Sequence, residues 1–461
     1  MNELLLSFER ICRDRAEELA IWSRGERRRV SFADLAEETR AWEARLAPRS
    51  HSNGESATPV VAVAVGNVAA FVPLALALFR RGLPVALIDG ALPAADKRTL
   101  CQRLGLPWLL HREPTLVGQE FPGGITLSRF DEVTPVAPPP GTALIKITSG
   151  STGDPVGICL EGPALTAGID QIVAGMELSP RDRVLMAIPL SHSYGFDNGL
   201  LSLARIGTPL VLEPGYYPAM LLSALAEGEV TFFPAVPPMV RALSESEWPS
   251  DLPLSRVISA GGPLAPEFAC RFRQRSGRAV HQFYGSTETG GISFERDPES
   301  LEALGTVGQP LPGVTVALDE AGTVTVGSPA NFLAYLGQPP REERMVKLSD
   351  RGEWTAEGRL RLTGRTADLL NVGGRRVSAA AIEATLRELP GVREAAVVGV
   401  ADPLRGDRVV AFLVGAPLAL DGQRLPPGLA PRDLRYVEAL PFTNRGKLDR
   451  ASLKRLAGER T

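Results

Sequence analysis

Short β-branched runs alternate with Ala- and Leu-rich segments along most of this 461-residue chain, and no other feature constrains its fold so strongly. Val60–Val65, Pro84–Ile88, Arg183–Ile188, Thr208–Leu212, Val257–Ser259 and Ala279–Phe283 are such runs. Side chains repeat every two residues on a strand and every 3.6 on a helix, so the switching predicts an α/β fold with largely parallel sheets. The length exceeds what one hydrophobic core serves. Around Thr315–Gly327 the texture changes to alternating strands broken by Gly322 and Gly327, which predicts a small β subdomain. After Gly364-Arg365 it changes again: Ser378–Leu389 reads as an amphipathic helix, Ala395–Val400 and Val409–Val414 as strands. The expected organisation is a large N-terminal domain over 1–363 carrying that β subdomain, a hinge at 364–368, and a small mobile α+β domain over 369–461.

Charge and thiol usage narrow the partners. Fifty basic and 53 acidic residues leave a formal net charge of −3, which gives no electrostatic footprint for nucleic acid or an anionic membrane. Cys12, Cys101, Cys159 and Cys270 are scattered with no CxxC pair, the usage of a reducing compartment. The four histidines (His51, His111, His192, His281) show no metal-ligand spacing with one another or with a cysteine. Val60 to Phe79 is almost wholly apolar, but Gly66-Asn67 splits it into a β-branched half and an Ala/Leu-rich half. A buried strand, a turn and a buried helix account for it, so no membrane span is expected. The amino terminus lacks the basic region of a signal peptide, and a cytoplasmic location is the expectation.

Several loops carry chemistry. The apolar run Leu144-Ile145-Lys146-Ile147 feeds Thr148-Ser149-Gly150-Ser151-Thr152-Gly153. Glycines there permit left-handed turns, and hydroxyls with amide N–H groups can cradle phosphate oxygens; taken alone, the loop is equally a flexible turn. In Gln282-Phe283-Tyr284-Gly285-Ser286-Thr287-Glu288, an aromatic able to stack on a base precedes a hydroxyl and a carboxylate able to hold Mg2+. The same residues also suit a Gly-rich turn with a solvated Glu288. Asp350 and Arg365 flank a β-hairpin, where a carboxylate can accept ribose hydroxyls with arginine support. Near the carboxyl end, Asn444-Arg445-Gly446-Lys447 offers a lysine on a glycine turn, as a point charge or as part of a solvated basic tail.

In this order and at these separations the motifs resemble the adenylate-forming superfamily, which includes acyl- and aryl-CoA synthetases and the adenylation domains of peptide synthetases. The resemblance runs from Phe32 to Arg450, with Pro189–Gly195, Ala260–Leu264 and Val372–Ser378 as supporting segments. It implies that Thr148, Ser149, Gly150, Ser151, Thr152 and Gly153 wrap the ATP phosphates, that Gly262 and Tyr284-Gly285 border the adenine, and that Thr287 contacts the α-phosphate. Glu288 would bind Mg2+, Asp350 the ribose with Arg365 nearby, and Lys447 the substrate carboxylate together with the α-phosphate. His192 would gate between the acyl pocket and a thiol tunnel, against the plain reading of a core histidine. After adenylation the C-terminal domain would rotate, bringing the Gly373-Gly374 loop to a pantetheine tunnel. Tyr194, Phe196, Gly261, Gly285 and Gly291 would line the acyl pocket, the glycines leaving room.

The implied activity is activation of a carboxylic acid to an acyl-adenylate and its transfer to CoA, in a monomer or homodimer. The alternatives are transfer to the phosphopantetheine arm of a carrier protein, or an impaired ATP- or acyl-binding homologue. Val156 stands where the pattern has a lysine, and Ala367 where it often has an Asp or Lys hinge. Ser193, where amino-acid-activating relatives carry an Asp, disfavours an α-amino acid substrate; the role of Asp197 is open.

Overall fold

The computed structural model describes residues 1–46, 59–149, 155–365, 369–372, 375–402, 406–416, 431, 433–443 and 448–458. Contacts divide the chain into two compact units. One comprises Met1–Thr315 with Val326–Val346, the other Val316–Thr325 with Lys347–Thr461.

The first unit contains two sheets. Nine strands lie in the order Gln309–Pro310, Gly290–Phe294, Val280–Ser286, Arg256–Ser259, Phe232–Ala235, Val184–Met186, Leu210–Leu212, Leu19–Ser23 and Arg28–Ser31. Eight lie in the order Ala334–Tyr335, Pro155–Glu161, Thr142–Ser149, Val85–Leu87, Val61–Ala64, Trp108–His111, Ile125–Arg129 and Gln119–Phe121. Both are parallel at the centre and antiparallel at the edges. The sequence reading of largely parallel sheets therefore holds for their middles. At several edges consecutive strands are joined by short connections, which can only make antiparallel pairs, whereas Ala334–Tyr335 reaches its edge of the eight-stranded sheet from far along the chain.

The apolar stretch that raised the membrane question forms the strand Val61–Ala64 and the helix Phe71–Arg80, whose residues Phe71 to Phe79 are all buried. A helix that is apolar all round belongs inside a core. Among the described residues, no helix is long and apolar enough to cross a membrane.

In the second unit, Thr315–Leu318, Thr323–Gly327, Met345–Trp354 and Leu360–Arg365 form the small β-sheet. The sequence reading put that sheet before residue 364, with the N-terminal part; by contacts most of it groups with the C-terminal part. Beyond it, Arg375–Ser378, Leu369–Val372, Gly406–Gly415 and Val392–Asp402 make a second sheet, joined by Asp433–Tyr436. Successive side chains on a strand point to opposite faces, so Val397 packs with Ile382 and Leu386 of the helix Ala379–Arg387. Val398 packs with Leu453 and Ala457 of the helix Arg450–Gly458.

Candidate active site

Three loops at the carboxyl ends of parallel strands in the first unit carry the residues of interest, the usual place for a ligand in an open α/β sheet. The strand Thr142–Ser149 pairs Thr148 with Val156 and ends at the phosphate motif. Its continuation, Gly150, Ser151, Thr152 and Gly153, lies outside the described residues, as do Ala367, Gly373, Gly374 and Lys447.

The strand Val280–Ser286 leads into Thr287-Glu288, and the chain returns as Gly290–Phe294. Gly290 has φ +69°, a left-handed turn that glycine adopts without Cβ strain. Across the tip the Ser286 and Thr289 hydroxyls are 3.0 Å apart, and the Ser286 hydroxyl accepts from the Thr289 N–H at 3.2 Å. That local closure leaves Thr287 and Glu288 only half-buried.

The third loop joins the sheets. After the strand Val184–Met186 the chain passes Ser191-His192 and enters the helical turn Ser193–Phe196. His192 Nε2 is buried, makes no hydrogen bond, and lies 3.5 Å from Asp89 Oδ2 beyond the strand Val85–Leu87. Ser193 Oγ donates to Thr287 Oγ1 at 3.3 Å. The Tyr194 ring lies 5.7 Å from that of Phe283, and its hydroxyl donates to the Ile258 carbonyl at 3.4 Å. Burial holds the Tyr194 phenol well above its ordinary value, so it stays a neutral wall.

On the other face of the nine-stranded sheet, Ser259 and Gln282 stand side by side. Gln282 Nε2 donates to the Gly262 carbonyl at 3.1 Å, while Gln282 Oε1 and Ser259 Oγ are buried without partners. Two such atoms side by side can accept or donate to a polar ligand or to water. A Cβ on Gly261 or Gly262 would meet nothing closer than 3.8 Å, so the space beside these orphans is open. Together with Tyr284, which is buried and shares a face with Gln282, this wall suits a flat heterocycle with edge donors and acceptors.

Two pocket expectations need correction. A Cβ on Gly285 would sit 2.7 Å from the Gly290 carbonyl, although Gly285 itself is exposed; a Cβ on Gly291 would meet Leu311 and the Phe283 ring. The buried Gly291 serves close packing and leaves no room for an acyl group. Phe196 is fully buried with its ring edge-on to Phe79 at 6.4 Å, a core residue and not a pocket wall.

Glu288 is the carboxylate available to a metal near Thr287; among the described residues, no cluster of three or more His, Cys, Asp or Glu could hold one. A lone carboxylate fits Mg2+, which is commonly held by one or two carboxylates plus nucleotide phosphates. Tyr335, on the edge strand Ala334–Tyr335, has its phenol raised first by burial and then by the Glu288 charge, which places the two groups within each other's field. All four thiols are raised chiefly by burial, Cys12 and Cys101 to about 12 and Cys159 to about 11, so none is a thiolate nucleophile at neutral pH.

In the second unit, Asp350 and Arg365 face each other across the hairpin, with Arg365 Nε donating to Asp350 Oδ1 at 2.8 Å. Asp350 is buried while Arg365 is half exposed.

Sequence reasoning passed over Lys146 and Asp89 and left Asp197 without a role. Lys146 Nζ reaches Asp197 Oδ1 and Oδ2 at 2.8 and 2.9 Å in a buried pair. A lysine inside the apolar run Leu144–Ile147 was the available signal, because lysine is almost never buried unpaired.

Comparison with known proteins accords with this geometry. Over 365 residues the chain is 29% identical to an indoleacetate–CoA ligase of Aromatoleum aromaticum, covering 73% of this chain and 71% of that one. It is 28% identical to a 2-succinylbenzoate–CoA ligase of Geobacillus kaustophilus, covering 93% and 94%. Its fold superposes on the o-succinylbenzoate CoA synthetase of Bacillus subtilis in complex with its acyl-adenylate intermediate (TM-score 0.80, 24% identity, 97% of each chain). It also superposes on the amide bond synthetase McbA of Marinactinospora thermotolerans (TM-score 0.76, 26% identity, 98% and 99%). The sequence model of the AMP-binding enzyme matches residues 8–336 and that of its C-terminal domain residues 381–447, and the chain belongs to the AMP-binding enzyme family.

Proposed function

We propose that this chain joins a carboxylic acid to CoA in two steps through an enzyme-bound acyl-adenylate, acting as an AMP-forming acid–thiol ligase. The observation that carries the reading is the meeting of the His192–Ser193 loop with both motif strands, through Asp89 beside one and Thr287 at the end of the other. Thr148 and the loop to Gly153 are assigned to the phosphates, Thr287 to the α-phosphate, and the wall of Ser259, Gly262, Gln282 and Tyr284-Gly285 to the adenine. Asp350, steadied by Arg365, is assigned to the ribose.

The difficulty of the first step is electrostatic. A carboxylate must approach an anionic phosphate, and two like charges ~4 Å apart repel by about 4 kcal/mol at an effective dielectric near 20. Lys447 is assigned to span the two anions, which offsets that repulsion most as charge builds in transfer. Mg2+ on Glu288 would supply further charge neutralisation at the phosphates. His192 is assigned to the boundary between acid and incoming thiol, with Asp89 orienting its ring. The acceptor thiol is assigned to CoA, or failing that to a carrier-borne phosphopantetheine. The domain rotation about 364–368 is part of the same proposal. A cytoplasmic location fits an enzyme that draws on ATP and CoA and keeps its cysteines as free thiols.

The relatives named for indoleacetate, ferulate and 2-succinylbenzoate make ring-bearing acids the first class to test. The experiment is acid-dependent pyrophosphate release from ATP and Mg2+ across aromatic, fatty and amino acids, with hydroxylamine trapping, followed by CoA, a holo carrier protein or an amine as acceptor. Hydroxamate from aromatic acids and thioester with free CoA are expected. ATP binding without pyrophosphate release for any acid overturns the reading in favour of an impaired homologue.

A further inference from the structure

Ile145 and Ile147 of the phosphate-loop strand pack into a core with Ala86, Ile88 and Cys159. Side chains alternate along a strand, so Lys146 projects from the opposite face, which it shares with Thr148. There it meets Asp197, from a segment 51 positions further along the chain, with both carboxylate oxygens engaged. Lys146 is 4% and Asp197 9% exposed. An ion pair at such depth is costly to desolvate, and apolar residues of like volume often serve stability as well or better. Its presence therefore calls for a reason other than stability.

The surroundings supply one. Asp197 opens a π-helical turn, Asp197–Leu201, between the α-helical turns Ser193–Phe196 and Ser202–Ile206. Such single-turn insertions in helices frequently accompany functional sites. Ser193 lies four residues before Asp197 on the same helical face and donates to Thr287. Thr148 lies two residues beyond Lys146 on the same strand face. The pair thus closes a path from Thr148 through Lys146, Asp197 and Ser193 to Thr287, linking the hydroxyls that end one strand in each sheet.

We infer that Lys146 and Asp197 are positioning residues: their ion pair fixes the spacing of Thr148 and Thr287 and so holds these two hydroxyls in register for attack of the carboxylate on the α-phosphate, which forms the carboxylate–phosphorus bond and releases pyrophosphate. The inference rests on the adenylation reading for its kinetic consequence, but the coupling between the loops does not. A two-point ion pair is directional, whereas an apolar contact lets the strand slide against the helix. Registry has added weight here because Val156, opposite Thr148, brings no charge of its own to the phosphates.

The test compares Lys146→Arg, Lys146→Met, Asp197→Asn and the apolar double variant Lys146→Met/Asp197→Leu with the full-length enzyme. Acid-dependent ATP–pyrophosphate exchange, thermal melting and backbone hydrogen exchange would be measured on each. Lys146→Met and Asp197→Asn are expected to lower kcat about 30-fold while KM for ATP moves less than about 3-fold, as misplacement of bound groups does. Lys146→Arg should keep most of kcat, and the double variant should recover the melting temperature without recovering kcat. Hydrogen exchange should rise together in 142–149 and in 285–290, although these lie in different sheets. Recovery of kcat in the apolar double variant, or faster exchange confined to 142–149, would overturn the inference. If the wild-type chain showed no exchange with any acid, the adenylation reading would fall by itself, and the hydrogen-exchange result would still decide whether the pair couples the two loops.

Discussion

The two motif hairpins of the first unit occupy equivalent places yet rest on different forces. The strand Thr142–Ser149 runs parallel to Val85–Leu87 on one side and antiparallel to Pro155–Glu161 on the other. The strand Val280–Ser286 likewise runs parallel to Arg256–Ser259 and antiparallel to Gly290–Phe294. Each delivers its loop where a sheet changes from parallel to antiparallel pairing. Behind the first lies a buried charge pair, Lys146–Asp197; behind the second lie neutral contacts, the rings of Tyr194 and Phe283 and the close-packed Gly291. The first hairpin should therefore answer to edits of charge and to pH, the second to edits of volume.

The largest break expected is Lys146→Met, which strands Asp197 in the interior and should cost about 3 kcal/mol in urea unfolding. Next is Gly285→Ala, where the new Cβ would have to displace the Gly290 carbonyl backbone; about 2 kcal/mol is expected, with adenylation lost in the same variant. Gly262→Ala sharpens the comparison, because the open space there belongs to the proposed adenine and not to packing. Its melt should stay within about 0.5 kcal/mol of wild type, while ATP affinity by calorimetry falls about tenfold. Equal losses of stability and affinity would contradict the adenine assignment.

The pH response gives the finest distinction. Burial holds the Asp197 carboxyl above the ordinary aspartate range despite the Lys146 ammonium beside it. Folding thus favours its neutral form. Its contribution to stability is complete below the unfolded value of about 3.9 and is lost as pH rises through the folded value. Relative to Asp197→Asn, the wild type should lose stability between pH ~3 and neutrality; a difference moving the other way would contradict the direction.

Much of this architecture was legible in the sequence where the deciding forces are local. The Val60–Phe79 stretch divides into strand and buried helix as its periodicity and Gly66-Asn67 indicate. The hairpin read from 347–365 sets Asp350 opposite Arg365. What escaped depends on distant partners. The antiparallel switch at each motif is decided by which strand returns alongside, which residue texture does not encode. Lys146 was passed over inside its apolar run, and its partner is 51 residues away. Gly291 read as open space because a sequence does not show Leu311 and the Phe283 ring filling it. Phe196 likewise looked like a pocket wall until Phe79 met it in the core. The orphaned Ser259 and Gln282 atoms arise only when two strands bring them side by side.

The most direct test of the account is native mass spectrometry of the full chain mixed with ATP, Mg2+ and an aromatic acid in the absence of any thiol. Pyrophosphate should be released and the protein should retain the mass of the acyl-adenylate, which CoA then discharges as thioester and AMP. Formation of ADP and phosphate, or a protein that keeps only intact ATP with every acid offered, would contradict it.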